Sequence, residues 1–87
     1  MPVYVDTAEW PFRGQLYCHV MADELDQLHA MADKIGLKRS WFQNKRGSTP
    51  HYDLAPSKRA LAVANGAVEI DRKATGQLIK YWRDKTR

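Results

Sequence analysis

The sequence QLYCHVM at residues 15–21, followed by DELDQLHAMADKIG at residues 23–36, decides the fold. The first stretch is almost continuously apolar, which is typical of a strand covered on both faces. Asp23 suits the start of a helix, because its carboxylate accepts from free N–H groups of the first turn, and Gly36 suits its end. Apolar residues recur at helical spacing between them and are Leu25, Leu28, Ala32 and Ile35. The two stretches therefore predict a strand that leads directly into an amphipathic helix.

Shorter elements are predicted on both sides of this pair. Residues 3–5 are β-prone and predict a first strand. Residues 9–14 are predicted to form a loop, because Pro11 lacks a backbone donor. Residues 38–43 are compatible with another short strand, and the polar residues 44–50 with an exposed loop.

Two further helices and a last strand are predicted in the second half. Pro56 fits the first turn of the second helix, Gly66 fits its end, and residues 68–70 predict the strand. A third helix is predicted from about Lys73. The residues expected to face inward on these two helices are Leu61, Ala64, Ala74, Leu78 and Trp82.

The order of these elements, β-β-α-β-α-β-α, determines the predicted architecture. It predicts a small single-domain α/β sandwich, with a mixed sheet of three to four short strands and about three helices. We place the α/β core at residues 1–72. A basic C-terminal helix at residues 73–87 is expected to pack on this core or to extend from it.

Length and composition restrict the class of protein. A chain of 87 residues allows one domain with a thin core. No apolar run reaches the length of a membrane span, and the start has no signal-peptide layout. Cys18 is the single cysteine and cannot form an internal disulfide. We therefore expect a cytoplasmic protein, without a membrane partner, of a bacterium or of a virus that infects one.

Charge is distributed unevenly along the chain, whose formal net charge is +4. Residues 1–37 carry two basic and six acidic side chains, whereas residues 38–87 carry twelve basic and four acidic ones. The asymmetry favours an anionic partner, such as a nucleotide or nucleic acid, for the second half. The alternative is a basic surface that is simply solvated.

Histidines and carboxylates supply the candidate chemistry. His19 lies near the end of a predicted strand and Asp6 follows another, and ligands of open α/β sheets bind at that edge. His51-Tyr52-Asp53 is the densest polar triplet, and in an extended chain His51 and Asp53 point to one side and Tyr52 to the other. The structural alternatives are an ordinary core histidine, a turn-forming aspartate and a loop whose Asp53 caps the next helix.

A divalent metal ion is an open candidate for a cofactor, which is otherwise unknown. His29 adds a third histidine beside the buried stripe of the first helix, although it is equally well explained as a boundary residue. The histidines lack a compact ligand motif such as H-E-x-x-H, and the chain has no P-loop, G-x-G-x-x-G or G-x-S-x-G signature.

Cations mixed with aromatic residues suggest contacts with phosphates and bases. Arg39 precedes Trp41 and Phe42, and such mixtures suit stacking on bases. Lys58 and Arg59 lie in the first turns of the second helix, where free N–H groups also attract anions. The alternative places both aromatic residues in the core and leaves the charges solvated.

The chain resembles domain of unknown function (DUF) family 4031, a group of bacterial and phage proteins, over about residues 3–70. The resemblance is carried by Val5-Asp6, Trp10-Pro11, Arg13-Gly14, Cys18-His19, Asp23-Glu24-Leu25, Leu28-His29, Ala32, Ile35-Gly36, Arg39, Phe42, His51-Tyr52-Asp53, Arg59 and Gly66-Ala67. It implies an α/β domain with a polar site that uses His19, His29, Arg39, His51, Tyr52, Asp53 and Arg59, and it implies no reaction. In two respects the chain departs from the family: residues 43–50 look longer, and the helix after Lys73 looks like an addition.

The sequence is compatible with three functions. The first is a ligand-binding domain for a phosphate-bearing partner, namely a nucleotide, a phosphorylated small molecule or nucleic acid; its ligand-binding residues would be Arg39, Tyr52, Lys58, Arg59, His29 and Asp6. The second is a small phosphoesterase or nuclease in which His51, oriented by Asp53, is the base and His19 is the acid or a metal ligand. The third is a protein-interaction module, with a homodimer built on the third helix if Tyr81 or Trp82 is exposed there.

One geometric prediction separates a site from a merely basic surface. His51-Tyr52-Asp53 should lie beside His19, with the guanidinium groups of Arg39 and Arg59 pointing into the same cavity. Such a ring of cations requires an anion or a metal ion to balance it.

Overall fold

The computed structural model describes residues 2–7, 10–45 and 48–85, and the elements and contacts below are those of these residues. The strands are β1 (Val3–Val5), β2 (Trp10–Phe12), β3 (Gln15–Ala22), β4 (Tyr52–Leu54) and β5 (Val68–Glu69). The helices are α1 (Leu25–Lys34), α2 (Pro56–Ala64) and α3 (Arg72–Lys85), with one 3-10 turn at Arg39–Trp41.

The long strand β3 organises the sheet. It pairs antiparallel with β1 on one side and with β4 on the other, and Val20 has a partner in both. Strand β5 then adds in parallel to β1, so that the sheet is mixed. The predicted α/β architecture with three helices is confirmed, and the sheet has five strands rather than three to four.

The additional strand comes from the segment that we expected to be a loop. Residues Trp10–Phe12 pair antiparallel with the start of β3. Arg13 and Gly14 connect the two strands with positive φ angles of 50° and 78°, as a two-residue hairpin turn requires. Strand β2 lies at the edge of the sheet, where the missing donor of Pro11 costs no ladder hydrogen bond.

Two other expectations about local structure are wrong. Residues 38–43 do not form a strand, because Arg39–Trp41 is a 3-10 turn and only Gln43 makes a β-bridge, with His51. Helix α1 begins at Leu25 without a side-chain cap. Asp23 accepts a hydrogen bond from the Tyr4 hydroxyl at 3.2 Å instead.

The inner face of the sheet, defined as the face covered by α1 and α2, holds the main core. Its largest fully buried side chains are Tyr52, Leu28, Leu54, Val5, Val20 and Cys18. Burial also raises the pKa of the Cys18 thiol to about 11. Helix α2 contributes Ala62 to this core, whereas the expected Leu61 and Ala64 are exposed, because the helix turns a different side toward the sheet.

The outer face of the sheet is covered by α3 over part of its area. Leu78 and Trp82 pack on Met21, and the Trp82 indole N–H donates to the Ala22 carbonyl at 2.7 Å. Trp82 is therefore buried, as the apolar pattern predicts, and Tyr81 beside it is exposed. No helix among the described residues is long and apolar enough to cross a bilayer.

Candidate functional site

A row of polar side chains crosses three strands on the part of the outer face that α3 leaves open. His19 in β3 stands opposite Asp53 in β4. On the other side of His19, the backbone N–H of Asp6, just after β1, donates to the His19 carbonyl at 3.2 Å. His51 lies two residues before Asp53 and on the same face, because side chains alternate along an extended chain. Cross-strand pairing therefore brings together residues that are far apart in sequence.

Asp6 holds His19 with both of its carboxylate oxygens. Oδ1 accepts from the His19 backbone N–H at 2.6 Å, and Oδ2 lies 2.7 Å from the ring Nδ1. The hydrogen bond to Asp6 raises the pKa of His19; partial burial opposes the rise, and the negative charges of Asp6 and Asp53 add to it. With Nδ1 tied to Asp6, the free ring nitrogen Nε2 points toward Asp53 at 3.8 Å from Oδ1.

His51 is held in the same manner by a backbone carbonyl. Its Nδ1 lies 2.8 Å from the Thr49 carbonyl oxygen. A carbonyl only accepts, so Nδ1 carries the proton and the neutral ring has its lone pair on Nε2. That Nε2 lies 3.5 Å from Asp53 Oδ1, and the rings of His51 and His19 meet edge to face with centroids 4.9 Å apart.

Asp53 completes the arrangement between the two imidazoles. Its Oδ2 accepts from the Gln43 amide at 2.7 Å, which leaves Oδ1 directed at the histidines. One donor atom from each of His19, His51 and Asp53 lies within 4.8 Å of the other two. We call these three residues the triad. A further group holds the other polar atom of each side chain. Asp6 holds Nδ1 of His19, the Thr49 carbonyl holds Nδ1 of His51, and Gln43 holds Oδ2 of Asp53.

A cleft opens in front of the histidines, between the sheet and α3. Its volume is about 380 Å³, and Asp6, His19 and His51 line it together with Thr75 and Ile79 of α3. The triad side chains are 34%, 19% and 29% exposed for His19, His51 and Asp53. A ligand held by the triad would therefore keep an open side toward the cleft.

Thr49 also lines the cleft, and it is only 9% exposed. Its hydroxyl oxygen is buried and has no hydrogen-bond partner among the described residues, so a ligand in the cleft would reach this oxygen only if the residues around it moved.

Other predicted site residues lie on the inner side of β4. The Tyr52 hydroxyl and His29 Nδ1 are 2.8 Å apart, and Tyr52 is fully buried. Arg39 pairs with Asp33 of α1 at 3.6 Å. The prediction that Arg39 closes the cavity of His19 and His51 is therefore wrong, because Arg39 is not among the residues that line this cavity and its guanidinium lies near Asp33 instead.

The two cations of α2 are also bound by other groups. Lys58 Nζ donates to the Ile35 carbonyl at 2.7 Å, at the end of α1. Arg59 donates to the Asp6 backbone carbonyl at 3.2 Å and pairs with Glu69 at 2.8 Å. The expectation that Arg59 points its guanidinium into the cavity is therefore wrong. Arg59 instead hydrogen-bonds to the backbone of Asp6 and stabilises that segment.

Sequence reasoning missed the anchors Gln43 and Thr49. Gln43 falls in a predicted strand that does not form, and nothing in the local pattern around Thr49 marks its carbonyl as an acceptor. The β-bridge between Gln43 and His51 is the feature that brings the amide to Asp53. It joins two segments across the loop of residues 44–50, part of which lies outside the described residues.

Replacing Asp6 with asparagine is expected to lower the pKa of His19 toward its ordinary value. The charged hydrogen-bond acceptor that raises this pKa is removed, while the size of the side chain is kept. Losing such an anchor typically weakens metal binding at a histidine by about 10–100-fold. Proton NMR titration of the His19 ring measures the first effect, and an unchanged pKa would contradict it.

Comparison with known proteins gives one match. The family described as "Protein of unknown function (DUF4031)" matches residues 3–81. No curated protein and no solved structure matches the chain. The family match includes all of the triad and most of α3, so our expectation that this helix is an addition to the family pattern is wrong.

Proposed function

Because the chain belongs to the DUF4031 family, whose description assigns no activity, we propose its function from the side chains: a small metal-dependent hydrolase of phosphate esters. One observation carries the proposal. Two imidazole nitrogens, of His19 and His51, and one carboxylate oxygen, of Asp53, lie within 4.8 Å of one another, and a further group holds the other polar atom of each side chain.

The donor set favours a divalent transition metal. Two imidazoles and a carboxylate suit Zn²⁺, Mn²⁺ or Fe²⁺ better than Mg²⁺ or Ca²⁺, which prefer oxygen ligands alone. Anchoring of the opposite ring nitrogen by a carboxylate or carbonyl is typical of metal-ligating histidines. The Nε2 atoms of His19 and His51 both face Oδ1 of Asp53. This arrangement is favourable when a metal ion lies between them or when the imidazoles are protonated.

Three protein ligands and an open side favour catalysis over a purely structural role. Closed structural zinc sites use four protein ligands, whereas catalytic ones leave a position for water. A divalent metal held by His19, His51 and Asp53 would lower the pKa of a bound water and polarise a phosphoryl oxygen of the substrate. Hydrolysis would then form a bond from the water oxygen to phosphorus and break the ester P–O bond, with the proton of the water passing through solvent to the leaving oxygen.

The phosphate-bearing substrate is proposed from the charge of the second half of the chain, because residues 38–87 carry most of the basic side chains. Among the described residues that line the cleft, Asp6 is acidic and none is lysine or arginine, so the metal ion itself would balance the charge of the phosphate.

Hydrolysis of bis(p-nitrophenyl) phosphate tests the proposal. With Zn²⁺ or Mn²⁺ we expect release of p-nitrophenol that stops on adding a chelator and is absent from His51→Ala. Release that is the same with and without metal would contradict the proposal. Metal-loaded protein that binds inorganic phosphate but cleaves no ester would instead support a phosphate-binding domain without turnover.

A further inference from the structure

A second and larger cavity adjoins the triad on the far side of Asp53. Its volume is about 580 Å³, within the range of about 300–1,000 Å³ that is usual for small-molecule sites. Gln43 and Asp53, which bond to each other, both line this cavity. Asp53 therefore belongs both to the triad and to the wall of this cavity.

The lining of this cavity combines aromatic rings with polar groups. The rings are Tyr17, Trp41 and Phe42, and the polar residues include Ser57 and Lys58. A flat aromatic ligand with polar edges suits such a lining. The rings of the cavity can stack on the face of the ligand, and the hydroxyl and ammonium groups can hydrogen-bond to its polar edge.

Trp41 is the ring best placed to receive a ligand. It is 49% exposed although it lines a cavity. Phe42, by contrast, already packs against His29 and Tyr52, with centroid distances of 4.5 and 5.4 Å. Lys38 Nζ lies 5.6 Å from the centroid of the Trp41 ring, which brings positive charge next to the open aromatic surface.

We propose that this cavity holds the base of a nucleotide whose phosphate lies at the triad. The inference rests on the proposed function for the phosphate end of the ligand, and it names the substrate class: a nucleotide or the end of a nucleic-acid strand. Stacking on aromatic side chains is the usual way in which proteins bind a nucleic-acid base without distinguishing one base from another. Asp53 and Gln43 separate the base site from the metal site.

Titration of the Zn²⁺-loaded protein with adenosine and uridine 5′-monophosphates tests the inference, with ribose 5-phosphate as the ligand that lacks a base. We expect both nucleotides to bind more tightly than the sugar phosphate. Trp41→Ala should weaken nucleotide binding about tenfold and leave ribose 5-phosphate binding unchanged. Trp41→Phe, which keeps a ring, should restore most of the loss.

Tyr81→Ala is the matched control, because Tyr81 is also exposed but lies on α3, outside this cavity. Equal affinities for nucleotide and sugar phosphate, or no effect of Trp41→Ala, would overturn the inference and leave the metal site standing. Adenosine added in the presence of a chelator separates the two proposals. It should shift the Trp41 indole NMR signal even if no metal binds, and an unshifted signal would count against the base site alone.

Discussion

Replacing His51 with alanine is expected to weaken binding of Zn²⁺ by more than about 100-fold. Loss of an anchoring partner alone costs about 10–100-fold, and His51 supplies a ligand atom itself. The triad would keep only His19 and Asp53, which are too few for a tight site. Isothermal titration of the metal-free protein measures the change.

His29→Ala is the control for this experiment. His29 is also a partly buried histidine whose Nδ1 is hydrogen-bonded, but it bonds to Tyr52 on the inner side of the sheet. We expect it to lose some stability and to keep its metal affinity. Equal losses of affinity in the two variants would show that the triad is not the binding site.

Replacing Trp82 with alanine is expected to lower the free energy of unfolding by about 3–5 kcal/mol, as is typical for a large buried aromatic residue. Trp82 and Leu78 are the buried residues with which α3 packs on the outer face, and the indole also donates to the Ala22 carbonyl. Small domains have only about 5–15 kcal/mol of stability, so the variant should be close to unfolding. Urea denaturation measures the difference.

Tyr81→Ala should cost about 1 kcal/mol or less, because exposed substitutions have small effects. The Trp82 variant should also keep its Zn²⁺ affinity at low temperature, where it is folded. The triad and its anchors lie on the sheet and on residues 43–49, not on α3. A metal affinity that falls in proportion to the lost stability would contradict this separation.

The core of the candidate site could be predicted from alternation along one short strand. An extended His51-Tyr52-Asp53 places its first and third side chains on one face, and the structure has Tyr52 buried and Asp53 beside His51. His19 meets Asp6 and Asp53 through pairing with the antiparallel neighbours of β3, not through the shared strand ends of an open α/β sheet.

The positions of the cations could not be predicted, because they depend on partners that are distant in sequence. Arg59 reaches Asp6, which is 53 residues away, and Lys58 reaches Ile35, which is 23 residues away. A long side chain bonds to whichever carboxylate or carbonyl the fold brings near. Residue type alone predicts Arg39 and Arg59 at the site together with Asp6 and Asp53, and the structure brings only the two carboxylates to the histidines.

The edge strand β2 was missed for a similar reason. Pro11 argues against a strand only where its missing donor is needed, and the sequence does not indicate that this strand lies at the edge. The turn Arg13-Gly14 was the available signal, since a two-residue turn ending in glycine between β-prone residues predicts a hairpin.

An anomalous difference map, recorded at the zinc absorption edge from crystals of the Zn²⁺-loaded protein, tests the central claim most directly. We expect one peak between the imidazoles of His19 and His51 and the carboxylate of Asp53, at about 2.0–2.2 Å from a donor atom of each once these side chains have moved toward the metal. We also expect Asp6, the Thr49 carbonyl and Gln43 to remain hydrogen-bonded to the other polar atoms of these side chains. A map from zinc-saturated crystals with no peak between the two imidazoles, or with peaks only elsewhere on the molecule, would contradict it.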